Sequence, residues 1–141
     1  MIQRVQSLFL AMTDLVLVAL LFVPFGYTRF PEQSAESDVA VTILYNVPAL
    51  IGAIVICSLA MMTLAMFRNR ELQMKLCIAG IVLSAAYSTF LCLNSFSPPE
   101  NAVWTIGPGV YVSLVNILLF LLARYFVKKD DDMVKSMDRI R

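Results

Sequence analysis

Four long apolar stretches occupy most of this chain of 141 residues. A bilayer core of about 30 Å is crossed by about 20 apolar residues of α-helix. The stretches predict spans over residues 5–27, 43–67, 76–96 and 104–127. Charged residues make up 15% of the chain, against about 25% in a typical soluble domain. The sequence therefore predicts an all-α integral membrane protein: a four-helix bundle that forms one transmembrane domain over residues 1–141.

Ten of the eleven lysine and arginine residues lie on one side of these spans. Arg4 precedes the first span, three bases lie in the loop 68–75, and six lie from Arg124 onward. Short loops rich in Lys and Arg stay in the cytoplasm. The asymmetry predicts a multi-pass membrane protein held in one orientation. Both termini and the tail 128–141 are expected to be cytoplasmic.

The chain has no histidine, so the commonest metal ligand and the commonest general base near neutral pH are missing. Its three cysteines lie in apolar stretches without a Cys-x-x-Cys pair, and we expect them to be packing residues. The basic residues are few and are explained by topology, so nucleic acid is not an expected partner. We expect a protein that is not an enzyme and binds no metal or cofactor.

Small and polar residues recur at helical spacing on one face of three spans. Helices in lipid associate through such faces, so they predict packing seams. The alternative is a polar pathway or ligand groove, for which Asn116 near mid-membrane is the best support. The seams are Ala49, Ala53 and Cys57; Gly80, Ser84, Ser88 and Cys92; and Gly109, Ser113, Asn116 and Phe120, with Arg124 on the same stripe.

Asp14 lies one third to one half of the way along the first span. A carboxylate in lipid is costly, and such a residue is a candidate functional site. Arg124 lies about one turn inside the cytoplasmic end of the fourth span, and a long arginine side chain could reach Asp14. We expect an ion pair between these two residues. A proton- or cation-coupling role for Asp14, and a protonated or solvated carboxyl without a role, are the alternatives.

The tail after residue 127 has a helical pattern. Met133, Met137 and Ile140 recur at helical spacing, and Asp131 and Lys135 are four residues apart. We expect the tail to continue the fourth span as a short amphipathic helix. It serves either as an anchor at anionic headgroups or as a docking segment for a partner.

Three pieces of the chain resemble a known family. These are Met1–Ser7, the loop from Arg68 to Cys77, and the tail from Lys128 to Arg141. They are similar to the opening, loop and closing motifs of a Bacteroidota membrane-protein family catalogued as domain of unknown function 4293. The resemblance implies a four-span inner-membrane protein and supplies no activity or site. It locates the recognisable residues on the cytoplasmic side.

Two functions follow as hypotheses. The first is an accessory or scaffold protein that presents a cytoplasmic face to a membrane or cytoplasmic protein, or to a second copy of itself. The second is a small proton- or cation-coupled transporter that uses a membrane-embedded carboxylate. The candidate intramembrane polar site is Asp14, Asn116 and Arg124, and the candidate cytoplasmic face is Arg68, Arg70, Lys75, Lys135, Asp138 and Arg139.

Overall fold

The computed structural model describes residues 3–29, 39–66, 69–95 and 103–138. Within these ranges the chain forms four α-helices, three short strands and one turn of 3-10 helix at Ile43–Tyr45. The helices are α1 (Gln3–Leu20), α2 (Val47–Ala65), α3 (Arg70–Ser95) and α4 (Pro108–Asp138). The strands are β1 (Gly26–Arg29), β2 (Val39–Val41) and β3 (Val103–Ile106).

Three helices in the described part of the chain are long and apolar enough to cross a membrane. They cover Val47–Ala65, Arg70–Asn94 and Pro108–Ser136, whereas the apolar part of α1 is the shorter segment Ser7–Leu20. The chain is therefore a helical protein of membrane type. The first predicted span differs from the structure because α1 ends at Leu20 rather than near residue 27. Pro24 explains the early end, since proline has no N–H to donate to the carbonyl group of Leu20, four residues earlier, and its ring would clash with that carbonyl in a continued helix.

The helices pack in a ring in which each contacts its two neighbours. α1 packs against α2 and α4, and α3 packs against α2 and α4. Buried residues recur at alternating intervals of three and four, which is the spacing of left-handed helix bundles. They are Leu10, Thr13, Leu17 and Leu20; Ala49, Ala53, Ile56, Ala60 and Thr63; Gln73, Cys77, Gly80, Ser84, Tyr87 and Leu91; and Gly109, Ser113, Asn116, Phe120, Ala123, Val127 and Asp130.

A three-stranded antiparallel sheet lies where α1 ends and α4 begins, in segments that the sequence predicted to be loops or span ends. The strand order is β2-β1-β3, with Gly26 opposite both Val41 and Ile106. Phe25 is buried beneath the sheet, and its ring centroid lies 5.9 Å from that of Trp104. The sheet therefore connects the first and last helices at this end of the bundle.

The backbone before β1 caps the start of α4. The first N–H groups of a helix have no partner within the helix. Gly109 donates its N–H to the carbonyl oxygen of Pro24 at 2.9 Å, and Gly107 donates to that of Phe25 at 2.9 Å. A Cβ at Gly107 would lie 2.5 Å from the Pro24 oxygen, so a larger residue would disrupt this contact. The close approach explains why glycine occupies this position.

The other end of the bundle is more helical than the sequence predicted. α3 begins at Arg70, so most of the predicted loop 68–75 is its first turns. α4 continues without a break to Asp138, which confirms the predicted helical tail. Its 31 residues extend about 46 Å at 1.5 Å per residue, about 16 Å beyond the thickness of a bilayer core.

Candidate functional site

The predicted stripe on α4 is buried for most of its length. Gly109, Ser113, Asn116 and Phe120 are all buried, as the sequence predicted for a packing seam. Arg124 is not part of this face, since the buried positions continue at Ala123 and Val127. Its side chain is exposed instead, and its positive charge lies close enough to Cys77 on α3 to interact with that residue.

The predicted ion pair between Asp14 and Arg124 is therefore not formed. Within the described residues, neither carboxylate oxygen of Asp14 has a hydrogen-bond partner. The contact between α1 and α4 contains an aromatic stack in its place. The rings of Phe9 and Phe126 lie 5.2 Å apart at an interplanar angle of 11°. The prediction of the ion pair was wrong because it placed Arg124 on the buried face of α4.

Asp14 faces α2. The thiol of Cys57 lies beside its carboxylate. A thiol is a weak hydrogen-bond donor. Both oxygens of the carboxylate are shielded from solvent, although the side chain as a whole is only partly buried. Asp14 is thus an acidic group in the apolar segment Ser7–Leu20, with a thiol neighbour and no strong donor, which keeps it the leading candidate for a functional side chain.

Four polar side chains line the seam between α3 and α4: Ser84, Ser88, Ser113 and Asn116. Ser113 donates its hydroxyl to Ser88 Oγ at 3.0 Å or to the carbonyl oxygen of Val110 at 2.7 Å. Ser88 donates to the carbonyl oxygen of Ser84 at 2.9 Å. Ser84 Oγ and Asn116 Oδ1 have no partner in the described structure. Asn116 is therefore buried in a polar seam between α3 and α4, whereas Asp14 lies on α1 and Cys57 on α2.

At the opposite end from the sheet, Arg70 binds Asp130. Arg70 Nη2 lies 3.1 Å from Asp130 Oδ2, and Arg70 Nη1 donates to the carbonyl oxygen of Asp130 at 3.3 Å. Both side chains are largely buried. Because one arginine contacts both the side chain and the backbone of Asp130, the pair fixes the start of α3 against the extended part of α4.

Of the remaining candidates of the cytoplasmic face, the structure describes the side chains of Lys75 and Lys135. Lys135 pairs with Asp131 at 2.6 Å along the same helix, and Lys75 is exposed on α3. Arg68 and Arg139 lie outside the described residues. Asp138 is the last residue of α4, and its side chain also lies outside the description.

Sequence reasoning missed two features near these sites. Asp130 lies in the tail for which the sequence predicts a helix, and its place in the three-four spacing of α4 indicates a buried position. Gln73 is 1% exposed, and its Oε1 has no partner in the described residues. The sequence indicates this burial, because Gln73 lies seven residues, or about two helical turns, before Gly80 on the same face of α3.

Within the described ranges, no three His, Cys, Asp or Glu side chains come together in a way that could hold a metal ion. No curated protein matches the chain significantly. The model of one family, described as "Domain of unknown function (DUF4293)", matches residues 2–140. That match covers nearly the whole sequence, and the chain therefore belongs to the DUF4293 family.

Proposed function

We propose that this protein crosses the bacterial inner membrane four times, with both termini in the cytoplasm. In this proposal it is not an enzyme and serves as an accessory or scaffold protein. Its partner is a membrane or cytoplasmic protein, or a second copy of the chain, that binds the cytoplasmic face. The biased distribution of basic residues supports this orientation, since ten of eleven lie at one end of the helices.

The observation that supports the scaffold role is the extension of α4 beyond bilayer thickness. A helix that only anchored the chain would end near residue 128, about 20 residues after Pro108. Instead α4 continues to Asp138. The Arg70–Asp130 ion pair holds this extension against the first turn of α3, so the two helices present a fixed surface rather than a loose tail.

This surface has a mixed charge pattern that suits a protein partner. Lys128, Lys129 and Asp132 are exposed, and so is Lys135 beyond them. Alternating charges on a fixed helix give specificity through complementary pairing.

The test is quantitative co-purification from native membranes in mild detergent. Chains ending at residue 127 are compared with the full chain. A partner that is recovered with the full chain and lost with the shortened one supports the proposal. The matched control is Arg29→Gln, which removes a base at the opposite end and is expected to leave recovery unchanged. Identical sets of proteins from full and shortened chains would refute the role of the extension.

The second candidate, a small coupled transporter, is favoured by one observation. Asp14 lies in the apolar segment Ser7–Leu20, and its carboxylate oxygens have no hydrogen-bond partner in the described structure. Such a group is suited to bind and release a proton or cation. Proteoliposomes containing the native chain should show ion- or proton-driven flux that Asp14→Asn abolishes and Asp132→Asn preserves. Flux that Asp14→Asn leaves unchanged would rule out this mechanism.

A further inference from the structure

A groove between α1 and α2 has almost wholly apolar walls. Its volume is about 210 Å³. Val18 and Ile54 on its walls are about half exposed, so the groove opens toward the surrounding lipid. An alkyl chain could enter it sideways from the bilayer. The lining residues are Leu17 and Val18 on α1, Leu21 in the turn that follows it, and Leu50, Ala53, Ile54 and Cys57 on α2.

Cys57 lines one end of this groove, and Asp14 lies beside Cys57, just beyond the lining residues. On α1, Asp14 precedes the wall residues Leu17, Val18 and Leu21 by three, four and seven positions, so it lies on the same helical face. α2 runs antiparallel to α1, and its wall ends at Cys57, whose thiol lies beside the Asp14 carboxylate. From Leu21, just past the end of α1, the Asp14 carboxyl group is therefore about seven residues or about 10 Å away along the helix.

The apolar walls of the groove and the carboxylate of Asp14 beside it determine which class of ligand can bind. An anionic group in an apolar environment is strongly destabilised unless it gains a counter-charge and hydrogen bonds. Asp14 lacks such partners among the described residues, and its neighbour Cys57 is a weak donor. An ammonium group supplies a positive charge and up to three N–H donors in one small group.

We propose that the groove between α1 and α2 binds a lipophilic primary amine. Its ammonium group donates to the carboxylate of Asp14, and its alkyl chain lies between Leu17 and Ala53. Binding requires a small movement of the Cys57 side chain, because both Asp14 oxygens are shielded from solvent. This proposal names a ligand class for the second candidate function, but it concerns binding alone, so a loss of transport and a loss of binding are separate results.

The chain provides an internal control on the other side of α2. A second groove, of about 310 Å³, lies between α2 and α3. Gly52, Val55, Leu83 and Phe90 are among its lining residues, and no charged side chain is among the described residues that line it. Its apolar walls should accept an alkyl chain, but they offer an ammonium group no counter-charge.

The experiment uses two photoactivatable probes on the full chain in lipid nanodiscs. One is n-decylamine with a diazirine at the end of its chain, and the other is the matching n-decanol. After illumination, peptide mass spectrometry compares labelling in residues 14–21, which line only the first groove, with labelling in residues 83–90, which line only the second. We expect the amine to label the α1–α2 groove at least fivefold more than the alcohol, and both to label residues 83–90 equally.

Asp14→Asn is expected to reduce the ratio of amine to alcohol in the α1–α2 groove to about one. Asp132→Asn, which changes the net charge equally on an exposed surface, is expected to leave the ratio at its native value. Equal labelling by amine and alcohol in the native α1–α2 groove would overturn the proposal, even if Asp14→Asn does not fold. An amine preference that survives in Asp14→Asn, or that is equally strong at residues 83–90, would also overturn it.

Discussion

Gly80 on α3 lies directly against the ring of Phe120 on α4. A Cβ at Gly80 would come within 2.5 Å of Phe120 Cε1, so any side chain there displaces the ring. We expect Gly80→Val to lower the free energy of unfolding by about 2 kcal/mol, because overpacking outweighs the gain in helix propensity. Unfolding in mixed detergent–SDS micelles measures the change. Adding Phe120→Leu should recover part of it; no loss in the single variant would contradict the close packing.

Asp14 is expected to reduce the stability of the bundle. Replacing it with leucine removes a carboxylate without a hydrogen-bond partner, and we expect a gain of about 1–3 kcal/mol in the free energy of unfolding. Arg124→Gln alters an exposed position and should change stability by less than about 0.5 kcal/mol. The same micelle unfolding assay tests both. If Asp14→Arg and Arg124→Asp each destabilised the protein and their combination restored it, the two residues would be paired after all.

The ion pair between Arg70 and Asp130 should couple α3 to α4. Both partners are largely buried, and Arg70 makes two contacts to Asp130. We expect a double-mutant cycle with Arg70→Gln and Asp130→Asn to give a coupling energy of about 1 kcal/mol. The matched comparison is the pair Lys135–Asp131, whose lysine is exposed, and there we expect a smaller coupling energy, reduced further by salt. Equal coupling energies for the two pairs would contradict the difference in burial.

The proposed topology predicts which residues face each side of the membrane. The three native cysteines are replaced by alanine, and single cysteines are introduced at Gln3, Val39 or Lys129. A membrane-impermeant maleimide should label the cysteine at position 39 in right-side-out vesicles, and those at 3 and 129 only in inside-out vesicles. Labelling of position 3 from the same side as position 39 would mean that α1 does not cross the bilayer.

The packing faces could largely be predicted from the sequence, whereas the partner of Asp14 could not. Small residues four apart indicated the buried faces of α2, α3 and α4. The error at Arg124 arose from extending this interval of four beyond Phe120. The buried face of a bundle helix follows alternating intervals of three and four, which average 3.5 residues, so the next buried residue is Ala123. Because the buried position after Phe120 is Ala123 and not Arg124, the arginine side chain lies off the buried face.

The sheet and the ion pair at the opposite end depend on contacts between distant parts of the sequence. The strands are only three or four residues long and adjoin apolar spans, so their alternation was too short to distinguish them from helix ends or loops. Arg70 and Asp130 lie 60 positions apart, and no local pattern joins them. Only the three-four spacing of α4, followed as far as Asp130, indicated that this acidic residue faces the bundle.

The pairing of β1 with β3 has a consequence for biosynthesis. β1 follows α1, but β3 emerges from the ribosome only after both α2 and α3 have been made. During that interval one edge of β1 lacks its strand partner, and the carbonyl group of Pro24 awaits the N–H of Gly109. The start of the chain therefore completes its structure only when β3 and α4 have been made, so an interruption of synthesis before β3 would leave β1 paired with β2 alone and its other edge open.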